Sequence, residues 1–196
     1  MGRRARTVGR LSAHVAFLRG VNVGKARKLP MAGLRSALER EGFRCVRTHL
    51  QSGNVVFSEQ PRDCVDAADR ITAVIAERFG LDVDVLVLDC DELAGIVEEN
   101  PLLAEESVPD ESLHVVLLFR EVTPAEFGLL SLPTSDGERA VLGDGAIYLS
   151  LPNGMGRTKL SGGYFERALG QRVTARNWRT VQALTVMCSD AKSETA

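Results

Sequence analysis

The segment FLRGVNVGKARKLPM, residues 17–31, holds two glycines, an asparagine and the cations Arg19, Lys25, Arg27 and Lys28 between an apolar run and a helix-like stretch. Glycines free backbone amides, and guanidinium, ammonium and carboxamide groups add donors, a combination that suits phosphate or carboxylate. It is not a Walker loop. Gly20 and Gly24 leave three residues between them where four are needed, and Ala26 follows Lys25 where a hydroxyl should reach magnesium. A second donor-rich stretch, QSGN at 51–54, forms the turn of a hairpin. In a βαββ unit with a right-handed crossover the first two strands are parallel and end on the same edge. The loop and the turn are therefore expected side by side. The expected ligand-binding set is Arg19, Asn22, Gly24, Lys25 and Lys28 from the loop with Gln51, Ser52 and Asn54 from the turn. For each residue alone the ordinary role is structural: the asparagines in turn conformations, Arg19 paired with an acid.

This set contains no carboxylate, histidine or cysteine, whereas general acid–base chemistry uses groups that titrate near neutrality. His14, His49 and His114 fall inside strand-like segments without the clustering of metal ligands. Ser52 has no base visible beside it, so a turn hydrogen bond is its expected role. Neither a metal nor a cofactor is expected. The sequence leans away from catalysis, and the enzymatic reading left open is an electrostatic site acting on a phosphorylated metabolite.

Net charge is −2, but it is unevenly spread. Residues 1–60 carry 12 cations and 3 acids, and residues 61–112 carry 3 cations and 15 acids. Residues 150–181 form a second basic block, six cations to one acid, that includes Lys159 and Arg176. These two are added to the ligand-binding set. Tyr164, Phe165 and Trp178 accompany the cations, which allows base stacking in a basic groove or plain core packing. The leading reading is a small anionic, phosphate-bearing ligand, followed by RNA or DNA contact through the basic segments. An overall pI near 6.0 speaks against broad nucleic-acid coating.

The elements that must position these residues follow from periodicity. HVAFLRG (14–20) reads as a strand, PMAGLRSALEREG (30–42) as a helix stopped by Gly42, and CVRTHLQSGNVVFSE as a hairpin. A helix ending at Gly80, the strand VDVLVLD and the helix CDELAGIVEEN complete the order β-α-β-β-α-β-α. The second half echoes the first: HVVLLFR at offset 100, RAVLGDGAIYLS at offset 92 and RALGQRV at offset 90. The reading is an α+β chain of two duplicated ferredoxin-like βαββαβ units, each with a trailing helix. Expected bounds are a basic tail 1–11, a first unit 12–100, an acidic linker 101–111, a second unit 112–188 and a flexible tail 189–196. The offset falls by eight between the first strand and the hairpin, which places extra length in the opening loop of the first half. A loop enlarged in one copy is a candidate for function.

At 196 residues and 44% hydrophobic content the chain has ample material for a core, and no apolar run is long enough for a membrane span. The Arg-rich start lacks a signal-peptide pattern. Cys45, Cys64, Cys90 and Cys188 are widely spaced, without a CxxC pair, so they are expected to be reduced in a cytoplasmic protein.

Four segments, FLRGVNVGKARKLPM, LQSGNVVF, KLSGGYFERALG and TARNWRTV, resemble in order the signature blocks of the bacterial family catalogued as domain of unknown function 1697. The resemblance runs from about residue 14 to residue 185. It implies an α+β fold of ferredoxin-like character and supplies no reaction. It also implies that Arg19, Gly20, Asn22, Gly24, Gln51, Ser52, Gly53, Asn54, Lys159, Arg176, Asn177 and Trp178 occupy signature positions. The chain departs from the common pattern at Lys25, where many members have a second glycine, and at Gly162–Gly163, which replace a polar pair.

Overall fold

The computed structural model describes residues 11–24, 28–60, 66–104, 108–135 and 137–195. These form a mixed α+β protein with two four-stranded antiparallel sheets and six α-helices. The chain divides into two compact units. The first gathers the described residues through Cys90 together with those from Met187 onward, and the second is Asp91–Val186.

In the first unit β1 (Ser12–Leu18), α1 (Met31–Glu41), β2 (Arg44–His49), β3 (Asn54–Glu59), α2 (Ala67–Phe79) and β4 (Val85–Asp89) follow one another. The sheet order is β2-β3-β1-β4. Both β1 and β2 pair antiparallel to β3, so they run parallel to each other and finish at one edge. Met31, Leu34 and Leu38 recur at helical spacing and bury against Ala16, Leu18, Val55 and Phe57 of the sheet, with Ile71 and Ile75 of α2 in the same core. Gly42 and Gly80 end α1 and α2 in the left-handed conformation that glycine adopts without penalty. Arg70 pairs with the buried Glu59 at 2.6 Å and lies 4.2 Å over the Phe43 ring, so a charge at the core margin is matched on both sides.

The second unit also has four strands in one sheet. Following α3 (Cys90–Glu98, of which Cys90 belongs to the first unit) come β5 (Leu113–Leu118), α4 (Pro124–Gly128), β6 (Arg139–Leu142), β7 (Ala146–Ser150), α5 (Gly162–Leu169) and β8 (Val173–Asn177). Their sheet order, β6-β7-β5-β8, matches the first position for position. Small details match too. The Leu18 amide donates to the Gly53 carbonyl at 2.8 Å, and the Leu118 amide donates to the Gly145 carbonyl at 3.2 Å. The extra length of the first half lies partly in the opening loop, 19–30 against 119–123, and partly in α1, 11 residues against 5 for α4. A longer connection after α4 offsets some of it.

The expected boundaries need correction. The trailing helix of the first half, α3, packs with the second unit from Asp91 onward. Tyr148 shows why: its buried hydroxyl donates to the Ile96 carbonyl at 2.9 Å. The expected linker contains two 3-10 turns, Pro101–Ala104 and Asp110–Ser112, with Leu102 and Ser112 buried, and belongs to the same unit. The expected tail 189–196 is helical through Thr195, as the end of α6 (Trp178–Thr195). Asp190 and Glu194 there pair with Arg47 of β2, and Ala191 is buried. Residues 1–10 lie outside the described residues.

Two of the cysteines depart from the expected reduced state, and Cys64 lies outside the described residues. Cys90 and Cys188 form a disulfide, and Cys45 is an exposed free thiol. The cysteines therefore give no support to a reducing compartment. Among the described residues no helix is long and apolar enough to cross a membrane.

Two predictions follow from the second unit. The Asn177 side-chain oxygen accepts from the Thr180 amide at 2.8 Å, capping α6 as its position before Trp178 leads one to expect. Asn177→Ala should cost about 1 kcal/mol in urea unfolding. Burial holds the His114 imidazole below its ordinary value of 6.5, against a smaller opposite effect of the Ser112 carbonyl. The unfolded chain therefore takes up the proton first as pH falls, so stability is intact above pH 6.5 and declines as pH drops through the unfolded and then the folded value. His114→Gln should flatten that decline in unfolding curves compared between about pH 7.5 and 5.

Candidate functional site

The opening loop and the hairpin turn of the first unit meet at one sheet edge, and one side chain joins them. Asn22 Nδ2 donates to the Leu29 carbonyl at 2.9 Å and to the Gln51 carbonyl at 2.7 Å, while its Oδ1 accepts from the Leu29 amide at 2.8 Å. A carboxamide nitrogen has two hydrogens, and both are used here. Asn22 therefore closes the loop on itself and pins it to the turn. It does so with a left-handed backbone, φ 56°, which asparagine tolerates better than most residues.

The turn is equally filled. Asn54 is fully buried, and its Nδ2 donates to the His49 carbonyl at 2.9 Å and to Ser52 Oγ at 3.0 Å. Gly53 has φ +78°, and a Cβ there would lie 2.5 Å from Val21 Cγ2 and 2.7 Å from Leu18 Cβ. Only glycine fits where turn, strand end and loop converge. Arg19 Nη1 sits 3.3 Å from Asp84 Oδ2, and the Arg19 amide donates to the Asp84 carbonyl. Asn22 thus meets Gln51, and Asn54 meets Ser52, while Arg19 turns to Asp84 just before β4. Asn22, Asn54 and Arg19 make the structural bonds that were the ordinary alternative for each.

Gly24 has open space around its Cα and φ +64°, Lys28 is exposed, and Gln51 and Ser52 are exposed at the turn. Lys25, like Arg27, lies outside the described residues. Lys159 and Arg176 belong to the second unit. Lys159 is exposed in the connection before α5. Arg176 is buried in β8, donating to Thr174 Oγ1 at 2.7 Å and to the Ala175 carbonyl at 2.8 Å, and burial lowers its pKa to about 10. It stays charged at neutral pH.

Beside the clamped loop lies a groove of about 410 Å³, lined by Met31, Ala32, Arg35 and Ser36 of α1 and by Thr48, Leu50 and Gln51 at the end of β2. Of these only Gln51 was anticipated. Arg35 and Ser36 sit on the exposed side of α1, away from its buried Leu34 and Leu38. The α1 pattern could have pointed to them, since they are polar positions on the outward side of the helix that follows the basic loop. Arg35 Nε donates to Glu39 Oε1 at 2.9 Å, an exposed i,i+4 pair that leaves the guanidinium reachable from solvent. Pro30 precedes α1 and no side chain caps the first turn, whose amides have no intrahelical partner.

Leu50 is unusual on two counts. Its φ is +57°, a costly region for leucine, and its side chain is 57% exposed. Val23, on the facing loop, is exposed as well. The groove can therefore offer a cation, two hydroxyls, a carboxamide and a positive helix end beside a small apolar surface. Among the described residues no group of three or more His, Cys, Asp and Glu side chains could hold a metal ion.

The model of a protein family described as "Protein of unknown function (DUF1697)" matches residues 11–148. The match includes the clamped loop, the turn and the groove, and stops before KLSGGYFERALG and TARNWRTV. No curated protein matches the chain. Among solved structures, conserved bacterial protein SP0830 from Streptococcus pneumoniae is similar with a TM-score of 0.65 at 19% identity, over 91% of this chain and 99% of that one. At that identity the likeness is one of fold.

Two substitutions test the clamp. Asn22→Ala removes three hydrogen bonds and should lower unfolding free energy by about 2–3 kcal/mol. Gly53→Ala combines a clash with a left-handed alanine and should cost about 2–4 kcal/mol, read from the same urea curves.

Proposed function

We propose that this chain, which belongs to the family of unknown function DUF1697, binds a small phosphate-bearing anion in the groove between α1 and the end of β2. The observation that carries the reading is the groove's lining. Arg35 supplies charge, Ser36, Thr48 and Gln51 supply directional hydrogen bonds, and the uncapped start of α1 adds its positive end. Met31, Ala32 and Leu50 give an apolar side against which the rest of an organic phosphate can lie. In this reading Asn22, Gly53 and Asn54 hold the groove's edge in place. Lys28, exposed two residues before Pro30, adds to the local positive field.

The framework belongs to the same proposal. Two units with one strand order and matching strand-to-turn hydrogen bonds support a duplicated ferredoxin-like βαββαβ architecture. The first copy has the longer opening loop and the longer first helix, and these are the segments that border the groove.

Titration calorimetry with adenosine 5′-monophosphate and with inorganic phosphate tests the reading. Arg35→Glu sits on an exposed helix face and should keep the fold while weakening binding by roughly tenfold or more. Affinity should fall only shallowly with added salt. A steep fall, with short RNA bound more tightly than the mononucleotide, would favour nucleic-acid contact through many phosphates instead.

A further inference from the structure

The first unit is discontinuous in sequence: the chain leaves it at Cys90 and re-enters at Met187. Cys188 is the second residue after re-entry, and its disulfide to Cys90 ties the exit to the return across a sequence separation of 98, with Cα atoms 5.5 Å apart. Both cysteines are buried.

The re-entering segment is the end of α6, and its position on the first unit's sheet can be read from register. Arg47 of β2 pairs with Val56 of β3, so the two share a sheet face. Val55 and Phe57, the neighbours of Val56, point into the core beneath α1 and α2. Arg47 therefore faces the opposite side, where Asp190 and Glu194 meet its guanidinium. The last turns of α6 cover part of the sheet face that α1 and α2 leave open. Their carboxylates are largely exposed, and exposed ion pairs are weak ties. The disulfide is of another order, because it joins covalently the last residue before the chain leaves the unit to the second residue after it returns.

We infer that Cys90–Cys188 is a redox-operated lock that holds the last turns of α6 on the second face of the first unit's sheet. A dithiol reductant, reaching the buried bond on a transient local opening, delivers two electrons and two protons. The S–S bond breaks, both sulfurs become thiols, and the reductant leaves as its own disulfide. The segment 187–195 then undocks while the sheet and its two helices stay folded. This inference does not depend on the groove or its ligand.

Hydrogen exchange with peptide-level mass spectrometry, on the full chain before and after dithiothreitol, tests it. Cys90 and Cys188 should resist alkylation in the unreduced protein while Cys45 reacts. On reduction the amides of 187–195 should exchange roughly tenfold faster or more, with α1, α2 and β1–β4 still protected. Removing the reductant and adding oxidised glutathione should restore protection. The double variant Cys90→Ser, Cys188→Ser should match the reduced state and ignore dithiothreitol. If that variant does not fold, the reduced natural chain carries the comparison alone. Equal protection of 187–195 in both redox states would overturn the lock, as would a loss spread evenly through the unit. Alkylation of Cys90 and Cys188 in the unreduced protein would do the same.

Discussion

Everything at the candidate site rests on the Asn22 side chain. One carboxamide satisfies both backbone groups of Leu29 and the carbonyl of Gln51. That closes the long opening loop, fixes where α1 begins, and binds the loop to the hairpin turn. The groove exists because α1 and the end of β2 are held at a set separation, and the clamp sets it at the open end. Gly53 completes the junction from below, where no side chain fits against Val21 and Leu18. Leu50, held in a costly backbone conformation next to this junction, is the kind of local strain that surrounding bonds must over-determine.

The second unit's sheet has the same strand order and a shorter opening loop. There the short opening loop is held by Arg120, whose guanidinium bonds Glu126 and the Leu169 carbonyl, and by Gln171 accepting from the Arg120 amide. A capping box at Thr123 and Glu126 starts the brief α4. Two sheets of one strand order thus close the same edge differently. One uses a short cross-linked loop, and the other a long loop closed by an asparagine.

Much of this was legible in the sequence because local chemistry encodes it. Gly42, Gly80 and Gly170 mark helix ends, both hairpins show as paired strand patterns around glycine turns, and Asn177 announces the start of α6. The meeting of loop and turn followed from topology alone. What each polar residue does there did not, because donor-rich residues serve a loop and a ligand equally well. Asn22 spends its donors on two backbone carbonyls, Asn54 on one carbonyl and the Ser52 hydroxyl, and Arg19 meets Asp84 across 65 positions. The unit boundaries were hidden for a related reason. Nothing local in CDELAGIVEEN says which core its apolar face joins, and two cysteines 98 apart carry no spacing signal. The groove escaped notice because its lining comes from the outward side of a helix whose inward side dominates the pattern.

Nitrogen–proton correlation spectra of the full chain, recorded during titration with adenosine 5′-monophosphate, test the central claim most directly. The account predicts shifts concentrated at the amides of residues 31–36 and 48–51, saturating together with a single dissociation constant, with the Asn22 side-chain amide resonances little moved because their bonds to backbone are kept. Shifts confined to 151–161 and the start of α5, or no saturable shift anywhere in the first unit, would contradict it.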